Sequence, residues 1–89
     1  MLRFEWDARK ARTNVAKHGV TFEEASTVFG DPLTLTVPDD RFDEIRSLTI
    51  GRSHLGRTIV VAHAERGDRI RIISARIATA RERRQYEQG

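Results

Sequence analysis

The sequence predicts an α+β domain: an antiparallel sheet of about four strands packed against an N-terminal helix pair, with one further helix at the C-terminus. Three observations carry this. Residues 8 to 29 hold their apolar side chains at helical spacing. Residues 33 to 75 switch to β-branched residues in period two, broken by short turns. Residues 79 to 88 return to a helical pattern that is almost wholly polar. With 89 residues, 38% apolar and 33% charged, the composition is that of a small globular domain and not of a disordered chain. No repeat, low-complexity tract or linker divides it, so residues 1–89 read as one domain.

Taken in order, Phe4 and Trp6 alternate with Arg3 and Glu5, the pattern of a short strand with one buried side. Asp7 is placed to cap a helix from Ala8 to about His18, with Ala8, Ala11 and Val15 as a narrow apolar stripe. Gly19 ends it. Thr21-Phe22-Glu23-Glu24 reads as a capping box opening a second helix, about Phe22 to Phe29, which Gly30-Asp31-Pro32 stops. Two helices so closely joined are expected to pack as a hairpin on a common surface.

That surface is the sheet. Strands are expected at Leu33–Val37, Glu44–Ser53, Thr58–Ala64 and Arg69–Ala75, paired antiparallel because the loops are short. Counting the opening strand, the order is β-α-α-β-β-β-β-α. Thr58–Ala64 is the most apolar and should be central. In the last strand, strict alternation points Ile70, Ile72 and Ser74 one way and Arg69, Arg71, Ile73 and Ala75 the other. Thr79-Ala80-Arg81-Glu82 is a second capping box, starting a helix to about Gln88 that has few apolar residues to bury.

Charge is distributed unevenly. Between Arg66 and Arg84 there are seven arginines and two acids, whereas the remaining residues hold nine Lys/Arg and eleven Asp/Glu. The basic character is therefore local and made of guanidinium groups, which suit two-point contact with phosphate or carboxylate oxygens. A polyanion is the first partner this implies. Arg71 and Arg76 stand among isoleucines in or just after a strand, where positive charge is costly unless something meets it. Asp43, Glu44 and Glu82 are candidates to do so. Lys10, Asn14 and Lys17 recur on one side of the first helix as phosphate-compatible groups, with His18 at its end. Glu44 and Arg46 project to one face of their strand, and Tyr86 offers a ring for base stacking.

Other chemistry is excluded. There is no cysteine, hence no disulfide and no thiolate metal site, and the histidines at 18, 54 and 63 lack metal-ligand spacing. No catalytic triad or phosphate-binding glycine loop is present, so neither metal nor cofactor is expected. The opening residues carry charges where a signal peptide has an apolar run, which suggests a cytoplasmic protein. An enzyme made from these residues would use general acid–base chemistry and charge stabilisation. Those means suffice for RNA cleavage, where the 2′-hydroxyl is a built-in nucleophile.

Phe4-Glu5-Trp6-Asp7, the K-x-x-x-N-x-x-K-H-G-V run at Lys10–Val20, Phe22-Glu23-Glu24-Ala25, V-F-x-D-P at Val28–Pro32, Ile50-Gly51-Arg52-Ser53 and R-I-I-S-A-R-x-A-T-x-x-E-R-x-x-Y at Arg71–Tyr86 together resemble the BrnT toxin family across nearly the whole chain. The resemblance implies a RelE-like ribonuclease fold and an endoribonuclease that cuts RNA and inhibits translation. It also implies neutralisation by a BrnA-type antitoxin with a ribbon-helix-helix domain, through which the complex would reach operator DNA. Carried onto this chain, the catalytic candidates are Lys17, His18, Arg46 and Arg76, with Lys10, Glu44, Arg71, Glu82 and Tyr86 as RNA-binding positions. Where many relatives carry a His-Ser pair, this chain has the acidic loop Asp39-Asp40-Arg41-Phe42-Asp43. A rival reading is a non-catalytic basic module acting as co-repressor with a DNA-binding partner. A third is a nucleic-acid-binding protein with no partner.

Overall fold

The computed structural model describes residues 2–41 and 44–89; Phe42 and Asp43, in the acidic loop, lie outside the described residues. The chain runs β1 (Arg3–Glu5), α1 (Ala8–His18), α2 (Phe22–Thr27), a 3-10 turn (Val28–Gly30), β2 (Leu35–Asp39), β3 (Arg46–Arg52), β4 (Thr58–Arg66), β5 (Arg69–Ile77) and α3 (Ala80–Gln88). The strands form one sheet in the order β1-β5-β4-β3-β2, with the apolar β4 central as expected. The sheet corrects the expectation of about four antiparallel strands. It has five strands and is mixed, because β1 joins the far edge beside β5 and runs parallel to it, Phe4 opposite Ile70.

The helices also differ from expectation. A hairpin on a common surface was expected; α1 and α2 do both dock on β5, but they make little contact with each other. α2 is only six residues long and passes directly into the 3-10 turn. From the turn after α1, from α2 and from the 3-10 turn, Val20, Phe22, Ala25 and Val28 meet Ile59 and Val61 of β4 and Ile72 and Ala75 of β5, forming the core. Phe4, Trp6, Ala11 and Phe29 pack around it. The 3-10 turn approaches β3 so closely that a Cβ on Gly51 would lie 2.7 Å from Val28 and 2.8 Å from Thr34. Only glycine fits there.

Capping follows the sequence at three of the expected places. Asp7 accepts from the Lys10 amide, Gly19 closes α1 at φ 68°, and Thr79 and Glu82 complete a capping box on α3. At α2 only half of the predicted box exists. Thr21 accepts from the Glu24 amide, but the Glu24 carboxylate turns away to a buried cluster, accepting from Ser53 at 2.7 Å and from Arg57. Those hydrogen bonds, the Arg57 contact foremost, hold its pKa below the usual carboxylate value against the effect of burial.

Strand β5 is phased by a bulge. Ala62 pairs with Ser74 but His63 pairs with Ile72, leaving Ile73 as the extra residue. Ile72 and Ala75, which strict alternation would send to opposite faces, are therefore both in the core. Just past this point β1 has ended, and the side chain of Asn14 takes its place at the edge of β5. Asn14 accepts from the Ala75 amide at 3.0 Å and donates to the Ala75 carbonyl at 2.8 Å and the Val20 carbonyl at 2.9 Å. Asn14 was expected as a phosphate-facing group, but it is buried and fully engaged. Asn14→Ala leaves three backbone groups unmet and should lower stability by on the order of 3 kcal/mol. Urea denaturation measures this, and an unchanged midpoint would mean that water replaces the amide without loss.

Candidate active site on the arginine face of the sheet

Residues directly opposite one another on paired strands share a face. Since Ile59 and Val61 point into the helical core, Val60 points to the other side, and with it Ile50 and Arg76, its partners on β3 and β5. The same side carries Ala62 with Ser74 and Ala64 with Arg71, while Glu5 lies opposite Arg71 on β1. Arg46, one step beyond the Ser47–His63 pair, falls on this face too, opposite Asp39 of β2. Arg71 and Arg76 share the face only because of the bulge. Five positions apart on a regular strand, they would point in opposite directions.

Each of these arginines meets a carboxylate. Arg71 donates to Glu5 at 2.9 Å, a partner that the sequence reading did not propose. Arg46 donates to Glu44, its near neighbour in the chain, at 2.6 Å, and its charge also acts on Asp39 across the strand. Arg76 makes a two-point contact with Glu82 at 2.7 and 2.8 Å, tying β5 to α3. Arg41 belongs to the group as well, and sequence reasoning passed over it. It makes a two-point contact with Asp39 at 2.8 and 3.0 Å, and its charge acts on Arg76. No run of sequence signals this, because β2, β3 and β5 assemble the group from distant segments.

Lys10, Lys17 and His18 form a second group. With Ile73 and Ser74 of the bulge they line a cleft of about 270 Å³ between α1 and the free edge of β5. Ser74, on the arginine face, joins the two groups, and Lys10 together with Arg66 acts on the Glu44 carboxylate, whose pKa is lowered chiefly by Arg46. Tyr86 stands apart. It lies one turn beyond Glu82, and its hydroxyl donates to Asp31 at 2.5 Å. Glu82 and Tyr86 thus clamp a helix that buries no residue of its own. The remaining histidines are elsewhere: His54 sits by Thr27, and His63 is buried with Nε2 at 2.7 Å from Thr49.

A family model described as the ribonuclease toxin BrnT of a type II toxin-antitoxin system matches residues 6–82. The chain belongs to the BrnT family. The fold agrees with a solved member, the Brucella abortus ribonuclease toxin BrnT. That structure superposes with a TM-score of 0.71 at 26% identity, over 89% of this chain and 99% of the other. No curated protein matches the sequence. The family assignment makes this chain a ribonuclease toxin of a type II system, as its motifs implied.

The Arg76–Glu82 pair predicts an acid response. Glu82 is held at a pKa of about 2, against an ordinary 4.5, by the Arg76 hydrogen bonds and the Thr79 amide despite partial burial. Because the folded-state value is depressed, the stabilisation is complete above 4.5 and is lost as pH falls through about 2. Amide exchange in α3 should accelerate across that window before the sheet opens. An α3 that stays protected down to pH 2 would show that the clamp contributes little.

Proposed function

We propose that this chain is a metal-independent, RelE-like endoribonuclease acting in the cytoplasm. It cuts RNA and so inhibits translation until a BrnA-type antitoxin with a ribbon-helix-helix domain binds it. The observation that carries the reading is the shared face of Arg46, Arg71 and Arg76, each oriented by a carboxylate. Sites two strands apart are separated by about 10 Å, so this face spans more than one phosphate of a bound strand. Arg76 spends two of its five N–H groups on Glu82, leaving three for phosphate oxygens.

In this mechanism the 2′-oxygen forms a bond to phosphorus and the P–O5′ bond breaks, leaving a 2′,3′-cyclic phosphate and a 5′-hydroxyl. Arg76 and Arg46 stabilise the extra negative charge on the phosphoryl oxygens. Arg71, Lys10, Glu44 and Glu82 hold the strand or the groups that meet it. From the cleft beside Ser74, Lys17 and His18 contact phosphate and move the two protons, one from the 2′-hydroxyl and one to the leaving oxygen. Among the described residues no three His, Asp or Glu side chains gather as a metal ion would require. Tyr86 is tied to Asp31 and is left to any base that reaches α3.

The purified chain should cut single-stranded RNA in excess EDTA, giving cyclic-phosphate ends. Arg46→Ala should lower kcat by on the order of 10²-fold with the melting temperature nearly unchanged. Arg76→Ala should abolish cutting but also loosen α3, since Glu82 loses its partner; Arg76→Lys separates the two effects by keeping a cation beside Glu82. Cleavage that stops in EDTA, or full activity in both arginine variants, would remove this face from the chemistry. Harmless expression with no cleavage of any RNA would favour a binding module instead.

A further inference from the structure

A second set of arginines lies at the α3 end of the sheet, where Arg52 continues the face of Arg46 and Ile50 along β3. Arg52, at the end of β3, lines two adjoining clefts of about 570 and 450 Å³, separated by the C-terminal half of α3, and Glu87 borders both. Arg57 and Arg83 complete the basic lining of the larger one. Arg57 is partly spent, donating to Glu24 and to the Gly19 carbonyl at 3.1 Å. Arg52 and Arg83 are exposed and have no ion-pair partner among the described residues. On the arginine face each guanidinium donates to a carboxylate, whereas here Arg52 lies near the Asp31 carboxylate without an ion pair and Arg83 has no ion pair among the described residues.

The same end of the molecule exposes aliphatic side chains. Leu33 is 71% exposed in the smaller cleft, Ile77 is 46% exposed in the larger, and Leu55, 62% exposed, sits in the turn beside its Gly56. Arginine mixed with apolar side chains is the composition of a protein–protein interface. A nucleic-acid strand would be served by several stacking rings, and among the described residues lining these clefts Tyr86 is the one ring.

We propose that these clefts dock an acidic, amphipathic segment of the antitoxin protein. Its carboxylates meet Arg52 and Arg83, and its aliphatic side chains cover Leu33, Leu55 and Ile77. This rests on the toxin reading above, and it anchors the partner on the far side of α3 from the catalytic arginines. The antitoxin can then grip the toxin without first displacing any of the arginine–carboxylate pairs.

The test uses the full chain in complex with its BrnA-type antitoxin. Hydrogen exchange should slow on binding at residues 52–58 and 83–89. Arg52→Glu with Arg83→Glu should raise the antitoxin Kd by about tenfold or more and leave RNA cleavage by the free chain unchanged. Protection confined to the arginine face, with an unaltered Kd in the double variant, would overturn the proposal. So would loss of RNA cleavage in that variant with antitoxin binding intact, which would give the clefts to RNA. Failure to form any complex sinks this inference, whereas a chain that binds the antitoxin through this end yet cuts no RNA sinks only the catalytic proposal.

Discussion

One position in β5 governs both sides of the sheet. The extra residue at Ile73 lets Ile72 and Ala75 share the core and lets Arg71 and Arg76 share the opposite face. Just past this position the edge of β5 loses its partner, because the parallel strand β1 has already stopped opposite Arg71. Asn14 fills that edge, meeting both the donor and the acceptor of Ala75 with one side-chain amide. A buried amide satisfied at three points is worth more to the fold than its area suggests, because each lost bond strands a backbone group away from water. The same contact draws α1 onto β5 and so brings Lys17 and His18 beside Ser74.

Charge on the open face is managed by pairing and not by dilution. Arg41, Arg46, Arg71 and Arg76 each have a carboxylate at hydrogen-bonding distance, so four guanidinium groups can lie on one sheet without driving it apart. These pairs are partly exposed and add little stability singly. Their larger effect is orientation, since a guanidinium held in place loses less entropy when a phosphate arrives. The pairing also explains how α3 stays docked with no buried residue: Glu82 holds one end through Arg76, and Tyr86 holds the other through Asp31. The cost is sensitivity, because a helix attached by polar contacts responds to pH and to any competitor for Arg76.

Much of this protein was legible in its residues. Period-two and period-3.6 patterns, Asp7, Gly19 and the Thr79–Glu82 box located the elements to within a few residues, because caps and alternation are local physics. The motif series placed the chain in its family, and the concentration of arginine after Arg66 pointed to the strand that carries half of the candidate site. What the residues alone left undecided depended on distant contact. Strict alternation would put Arg71 and Arg76 on opposite faces, since a bulge is chosen by the neighbouring strand and not by Ile73 itself. Asn14 looked like part of a basic stripe because its partner, Ala75, is 61 positions away. The parallel seat of β1 and the partners Glu5 and Arg41 were hidden for the same reason: the sequence by itself determines which segments are strands and helices, whereas which edges meet, and which charges they bring together, is set only when the whole sheet closes.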